Sequence, residues 1–157
     1  YDMGVLEGYA DGSFKPDNTV NRAELLKILL EGQGITPSVQ VHHDCFTDVG
    51  QDWYAPYVCY AKGLDWVEGY DDGSFKPGQE VTNIEALKML LVSQGVVVPE
   101  SVESDPFADV AVGEWFTPYV FVANSLEILE ETGTNFYPGA VRTRAQIAEN
   151  LYRLLVN

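Results

Sequence analysis

Gly69-Tyr70-Asp71-Asp72-Gly73-Ser74-Phe75-Lys76-Pro77 decides the fold, because the chain has already used it once, as Gly8-Tyr9-Ala10-Asp11-Gly12-Ser13-Phe14-Lys15-Pro16. The offset is 61 residues, and Phe136-Tyr137-Pro138 follows 61 later again. Flanking segments keep the same spacing. Phe46-Thr47-Asp48-Val49 returns as Phe107-Ala108-Asp109-Val110, and Asn21-Arg22-Ala23-Glu24 returns as Thr82-Asn83-Ile84-Glu85 and Thr143-Arg144-Ala145-Gln146. Trp53-Tyr54-Ala55-Pro56-Tyr57 returns as Trp115-Phe116-Thr117-Pro118-Tyr119, one residue out of step. A period of this size means a repeated supersecondary unit whose neighbours complete its core.

Each full unit reads as Phe-x-Asp-Val, a Trp-led helix, a Gly/Asp loop ending in Phe-x-Pro, and a second helix. The expected organisation is a partial first unit over 1–35, a linker over 36–45, a second unit over 46–95, a linker over 96–106 and a third unit over 107–157. The first unit lacks its Trp-led helix, since Tyr1 aligns with Lys62. The second helices start after Asn21, Thr82 and Thr143, where Leu25, Leu26, Ile28 and Leu29 show the helical apolar period. Leu87, Met89, Leu90 and Leu91 repeat it, as do Ile147, Leu151, Leu154 and Leu155. Gly32, Gly34 and Gly95 supply stops. Pro56 and Pro118 fit a first helical turn, where the missing N–H costs little. Pro37 and Pro99 punctuate the linkers. No stretch shows long strand alternation, so the chain reads as mainly α.

Composition narrows the function. Of 157 residues, 24 are acidic and 9 are Lys or Arg, a net charge of −15. That balance opposes nucleic-acid binding, which requires cations against phosphate, and a polybasic membrane anchor. No apolar run reaches the 18 or so residues of a membrane span, so direct membrane insertion is not expected. The start at Tyr1-Asp2-Met3-Gly4 shows neither signal peptide nor initiating Met, and reads as a segment of a longer or processed protein. At 46% hydrophobic the chain supports a packed core.

Repeated in fixed order over nearly the whole chain, these motifs resemble the S-layer homology motif of bacterial cell-surface proteins. The residues carrying the resemblance are Phe46-Thr47-Asp48-Val49, Trp53, the loop Gly69–Pro77 and the Thr-Arg-Ala-Glu-like starts at Asn21, Thr82 and Thr143. The resemblance implies a helical, pseudo-threefold spindle with secondary cell-wall polysaccharide, often acidic and pyruvylated, held in grooves between units. It implies an extracellular position at the cell wall or surface layer.

Read from the residues themselves, Asn21/Glu24, Thr82/Glu85 and Thr143/Gln146 have two explanations, ligand contact or reciprocal helix capping. Arg22 and Arg144 are different. A cation at the first helical position opposes the helix dipole and is not needed for capping. Free N–H groups, dipole and guanidinium together make an anion site. Lys15, Arg22, Lys76, Arg142 and Arg144 concentrate five of the nine cations in the loop-to-helix elements. Tyr9 and Tyr70, in the loops, are candidate sugar contacts, whereas Trp53 with Tyr57 and Trp115 with Tyr119 read as core pairs four apart. Lys15 and Lys76 serve either the ligand or neighbouring acids.

The pattern also departs from the family. Asn83 stands where Arg is expected, Gln146 replaces Glu, and Glu130-Glu131-Thr132-Gly133-Thr134-Asn135 replaces the Gly-Tyr-x-Asp-Gly loop. Cys45 and Cys59 have no cysteine counterparts in the third unit, which holds Pro106 and Phe121. They read as a disulfide suited to an oxidising exterior or as two independent thiols. His42-His43-Asp44-Cys45 is a poor metal cluster, because adjacent ligands in one linker seldom close around an ion. As an EF-hand loop around Gly73, only Asp72 among Glu68, Tyr70, Asp72 and Gln79 suits calcium. No metal or cofactor is expected, and no catalytic motif is present.

Three functions follow. The leading one is a non-covalent, non-enzymatic wall anchor binding secondary cell-wall polysaccharide. The alternative is a surface-layer assembly module without glycan binding, its first helix supplied by another segment or chain, with copies of itself or other surface proteins as partners. A hydrolase acting on wall glycans has no positive support.

Overall fold

The computed structural model describes residues 8–104, 107–129 and 133–156. The opening seven residues, the end of the second linker and the acidic start of the altered third loop, segments 105–106 and 130–132, lie outside them. The protein is mainly helical, with α1 Arg22–Gly32, α2 Ala55–Gly63, α3 Asn83–Ser93, α4 Thr117–Ser125 and α5 Arg144–Val156. Among the described residues there is no extended strand, only isolated bridges such as Asn21 with Glu80 and Thr82 with Val141. No helix among them is long and apolar enough to cross a membrane.

The chain forms two compact units, one ending at Val81 and the other beginning at Thr82. Each pairs two helices, α1 with α2 in the first and α3 with α4 in the second. The division therefore falls inside the 46–95 sequence repeat.

Helix starts follow the capping signals. Asn21 Oδ1 accepts from Glu24 N at 2.8 Å, and Glu24 Oε2 accepts from Asn21 N at 3.0 Å. Thr82 and Glu85 repeat the reciprocal pair, and Thr143 and Gln146 do so with a carboxamide. These six residues are thus caps in fact, each pair contributing about 1 kcal/mol. Behind the caps, Leu25, Leu26, Leu29 and Leu30 of α1 and Leu87, Met89, Leu90 and Leu91 of α3 are buried. In α5, Ile147 and Leu151 are buried, but Leu155 stays exposed near the helix end.

Glycines end α1 and α3. Gly34 and Gly95 take positive φ, and the next residues donate back to Leu30 O and Leu91 O. After α2 and α4 the same left-handed position holds Asp65 and Glu127, with φ 59° and 56°. An L side chain is disfavoured there. Glu127→Gly is therefore expected to stabilise the protein by about 0.5–1 kcal/mol, the relief of strain exceeding the added entropy of the unfolded chain. An upward shift in thermal midpoint checks it.

Cys45 and Cys59 form a disulfide with Cα atoms 5.6 Å apart, tying the segment before Phe46 to α2. Closing a loop of this length restricts the unfolded chain, worth about 3 kcal/mol. Reduction, or the Cys45→Ala/Cys59→Ala double substitution, should lower the denaturation midpoint accordingly, read by urea unfolding with and without reductant.

The tryptophans are not where four-residue spacing puts them. α2 and α4 begin two residues after Trp53 and Trp115, at Ala55 and Thr117, and the indoles remain 56% and 57% exposed. Trp53 meets the ring of Tyr54 edge on, while Trp115 meets Phe116 and Tyr119. Because they precede the helix, these residues do not share its inward face. Core burial falls instead to Val58, Ala61, Val120 and Ala123.

Candidate functional site

Each Phe-x-Pro loop is built as a small clamp. In the second loop, Tyr70 N donates to Ser74 O at 2.8 Å and Gly73 N to Tyr70 O at 2.9 Å. Gly73 supplies the positive φ this turn requires. Asp72 Oδ1 accepts from both the backbone N–H and the hydroxyl of Ser74, and Asp11 does the same with Ser13. Those hydrogen bonds to Ser74 and Ser13 hold both carboxyls below the usual aspartate range. A depressed folded pKa means this support is present above about pH 3.8 and is lost only as the pH falls through the lowered value.

The Phe-x-Asp-Val motif holds the next two residues. Asp48 accepts from Phe75 N and Lys76 N, both at 2.8 Å, and Asp109 accepts from Phe136 N and Tyr137 N, both at 2.7 Å. The phenylalanine rings pack beneath, Phe46 stacked on Phe75 at 5.4 Å and Phe107 tilted against Phe136 at 5.7 Å. Phe75 and Phe136 are fully buried. This role was not visible in the residues alone. The signal for it was the constant 27-residue interval from the aspartate to the Phe-x-Pro phenylalanine in both complete repeats.

The second helices dock against these loops. Arg22 N donates to Gln79 O at 2.9 Å and Ala23 N to Pro77 O at 3.1 Å; Asn83 N donates to Ala140 O at 2.7 Å and Ile84 N to Pro138 O at 3.2 Å. With the caps, the first three N–H groups of α1 and α3 are therefore occupied. The expectation of free helix N–H groups at an anion site is overturned here, because carbonyls from more than fifty residues away have taken them.

Arg22 is only 6% exposed. Its Nε donates to Phe75 O at 2.9 Å, and its guanidinium lies over the rings of Phe75 and Tyr70 at 4.6 and 5.1 Å. Lys76 places its ammonium 4.1 Å from the centre of the same Tyr70 ring. Asn21, Arg22, Glu24, Tyr70 and Lys76 are thus brought together in the first compact unit. A shallow pocket of about 500 Å³ shares Tyr70 and is also lined by Cys45, Phe46, Lys62 and Glu68.

Thr82 and Glu85 belong to the equivalent place in the second unit, where Asn83 has Arg22's position. Its Nδ2 donates to Phe136 O at 2.7 Å and to Tyr137 O at 3.3 Å. Asparagine thus fulfils the structural half of the arginine's work, without its charge. Tyr9 and Lys15 form a third cluster, the ammonium 4.2 Å above the ring and 3.4 Å from Asp11. Tyr9 and Tyr70 are half-buried in closed turns. Thr143 caps α5, while Arg144 and Arg142 beside it are buried.

Residues 1–26 and 46–87 match the S-layer homology domain. A surface layer protein of Brevibacillus choshinensis is 34% identical over 96 residues, covering 59% of this chain and 9% of that protein. A middle cell wall protein of Brevibacillus brevis is 28% identical over 152 residues, or 95% of this chain and 13% of its own length. Exoglucanase XynX of Acetivibrio thermocellus is 27% identical over 157 residues, 96% of this chain and 14% of the enzyme. The chain thus spans a small fraction of the length of each of these relatives. The repeated Phe-x-Asp-Val, Gly/Asp-loop and capped-helix elements run through the two stretches, residues 1–26 and 46–87, that belong to the S-layer homology domain family.

Proposed function

We propose that this chain is a non-covalent, non-catalytic anchor that binds secondary cell-wall polysaccharide outside the cytoplasmic membrane. The binding places are those where the second helix of one repeat meets the Phe-x-Pro loop of the next. The observation that carries this reading is the convergence of Arg22 and Lys76 on the Tyr70 ring, two cations held together in a chain of net charge −15. A guanidinium and an ammonium held against one aromatic ring suit an acidic sugar, whose carboxylate they would meet. Arg144, at the corresponding position of α5, is the second candidate cation. Tyr9 and Lys15 offer a further aromatic–cation pair. The other parts of the parent protein, catalytic or structural, would be held at the surface by this module.

The test is co-sedimentation of the purified chain with cell walls of the producing organism, before and after chemical removal of the wall polysaccharide. Binding lost on removal is the expected result. Equal binding to stripped walls would overturn it.

A second reading, surface assembly without glycan binding, draws on Asn83. The loop–helix joint persists there without a cation, so the architecture itself does not require an anionic ligand. Self-association at high concentration, read by sedimentation velocity, is then expected; a strict monomer would refute it.

A further inference from the structure

We infer that the place where α3 meets its loop accepts a neutral, hydroxyl-bearing sugar residue, whereas the equivalent place at α1 accepts an anionic one. This rests on the polysaccharide-binding reading above and adds a division of labour within the chain.

Three exchanges between equivalent positions carry it. Arg22 is replaced by Asn83, Lys76 by Tyr137 and Glu80 by Val141. Every charge among these three positions has gone, and what replaces them is an amide, an aromatic ring and an aliphatic side chain. Tyr137 is 61% exposed and Val141 45%.

The backbone of Tyr137 is held on both sides, while its side chain stands exposed. Its N–H donates to Asp109 Oδ2 at 2.7 Å, and its carbonyl accepts from Asn83 Nδ2 at 3.3 Å. Its φ is 57°, a conformation that costs a bulky L residue free energy. Lys76, in the same conformation, lies back over Tyr70. An exposed aromatic ring carried on so firmly held a backbone is a surface on which the C–H face of an uncharged pyranose packs.

Asn83 is the independent second observation. It is only 4% exposed, and with its Nδ2 committed to the loop carbonyls, its Oδ1 has no hydrogen-bond partner among the described residues. A buried unpaired acceptor is costly. A guanidinium only donates, which suits a carboxylate; a carboxamide also presents an acceptor, which suits a hydroxyl. The exchange thus removes the complement of an acid and leaves an unpaired acceptor whose chemistry suits a hydroxyl donor.

The test is isothermal titration of the full chain with two probes. One is purified wall polysaccharide of the producing organism. The other is the same polymer after carboxyl reduction, which turns each acid into a neutral alcohol. Wild type should retain binding to the reduced polymer, and Tyr137→Lys should weaken that binding about tenfold, the loss of one aromatic contact. Lysine is chosen because Lys15 and Lys76 occupy this left-handed position in the other loops, with φ 49° and 56°. Tyr137→Phe should bind the reduced polymer as wild type does. The inference is overturned if Tyr137→Lys binds the reduced polymer as tightly as wild type, or if wild type binds only the native polymer. If wild type binds neither polymer, the polysaccharide reading itself fails.

Discussion

Gly69→Ala is expected to destabilise the first compact unit by about 3 kcal/mol or more, the range of a buried steric conflict that cannot relax. Two independent effects add. Gly69 has φ +78°, where an added Cβ is strained whatever the surroundings. That Cβ would also stand 2.5 Å from Phe46 Cε1 and 2.8 Å from Ser74 O. Rotating the Phe46 ring would relieve the first contact only by disturbing its stack on the buried Phe75. The second contact is with backbone, inside the turn closed by Tyr70 N to Ser74 O. Gly78→Ala is the control, since a Cβ there meets nothing within 4 Å. Urea unfolding followed by tryptophan fluorescence should separate the two variants clearly. A loss below about 1 kcal/mol for Gly69→Ala would mean that the ring stack is not rigid.

The contrast between Gly69 and Asp48 shows which features the residues disclosed by themselves. Local rules reached the helix starts at Asn21, Thr82 and Thr143, the placement of Pro56 and Pro118, and the Cys45–Cys59 pair, because each depends on neighbours within a few residues or on one comparison between repeats. Asp48 was visible only as a recurring letter. Its meaning lies in two N–H groups 27 and 28 residues away, and no local periodicity encodes that. The same limit applies to the N–H groups of Arg22 and Ala23, taken by Gln79 and Pro77. Four-residue spacing likewise established that Trp115 and Tyr119 touch, but not that α4 starts too late to bury the indole. Asn83 is the instructive case. As a residue type it signified a lost arginine; in the fold it keeps the arginine's bond to the buried phenylalanine carbonyl and changes only the charge.

That substitution within the chain supplies the cleanest test of Arg22. Arg22→Ala would confound two effects, because it strands Phe75 O in a buried setting as well as removing the cation. Arg22→Asn avoids this. Asn83 already occupies the first position of α3, behind a Thr82/Glu85 capping box, and reaches Phe136 O at 2.7 Å. The thermal midpoint of Arg22→Asn should therefore remain within a few degrees of wild type. Binding to acidic wall polysaccharide should fall about 10- to 100-fold, the range expected when one charge-assisted contact is removed. Its salt dependence should flatten as well, because Lys76 alone would remain beside Tyr70 to meet a carboxylate. Titration at two ionic strengths, with a parallel thermal melt, reads both quantities. Unchanged affinity at preserved stability would reduce Arg22 to a structural residue that reaches the loop carbonyl through a longer side chain. A large loss of stability with unchanged affinity would show that its stacking on Phe75 and Tyr70, which asparagine cannot replace, is what the first unit requires.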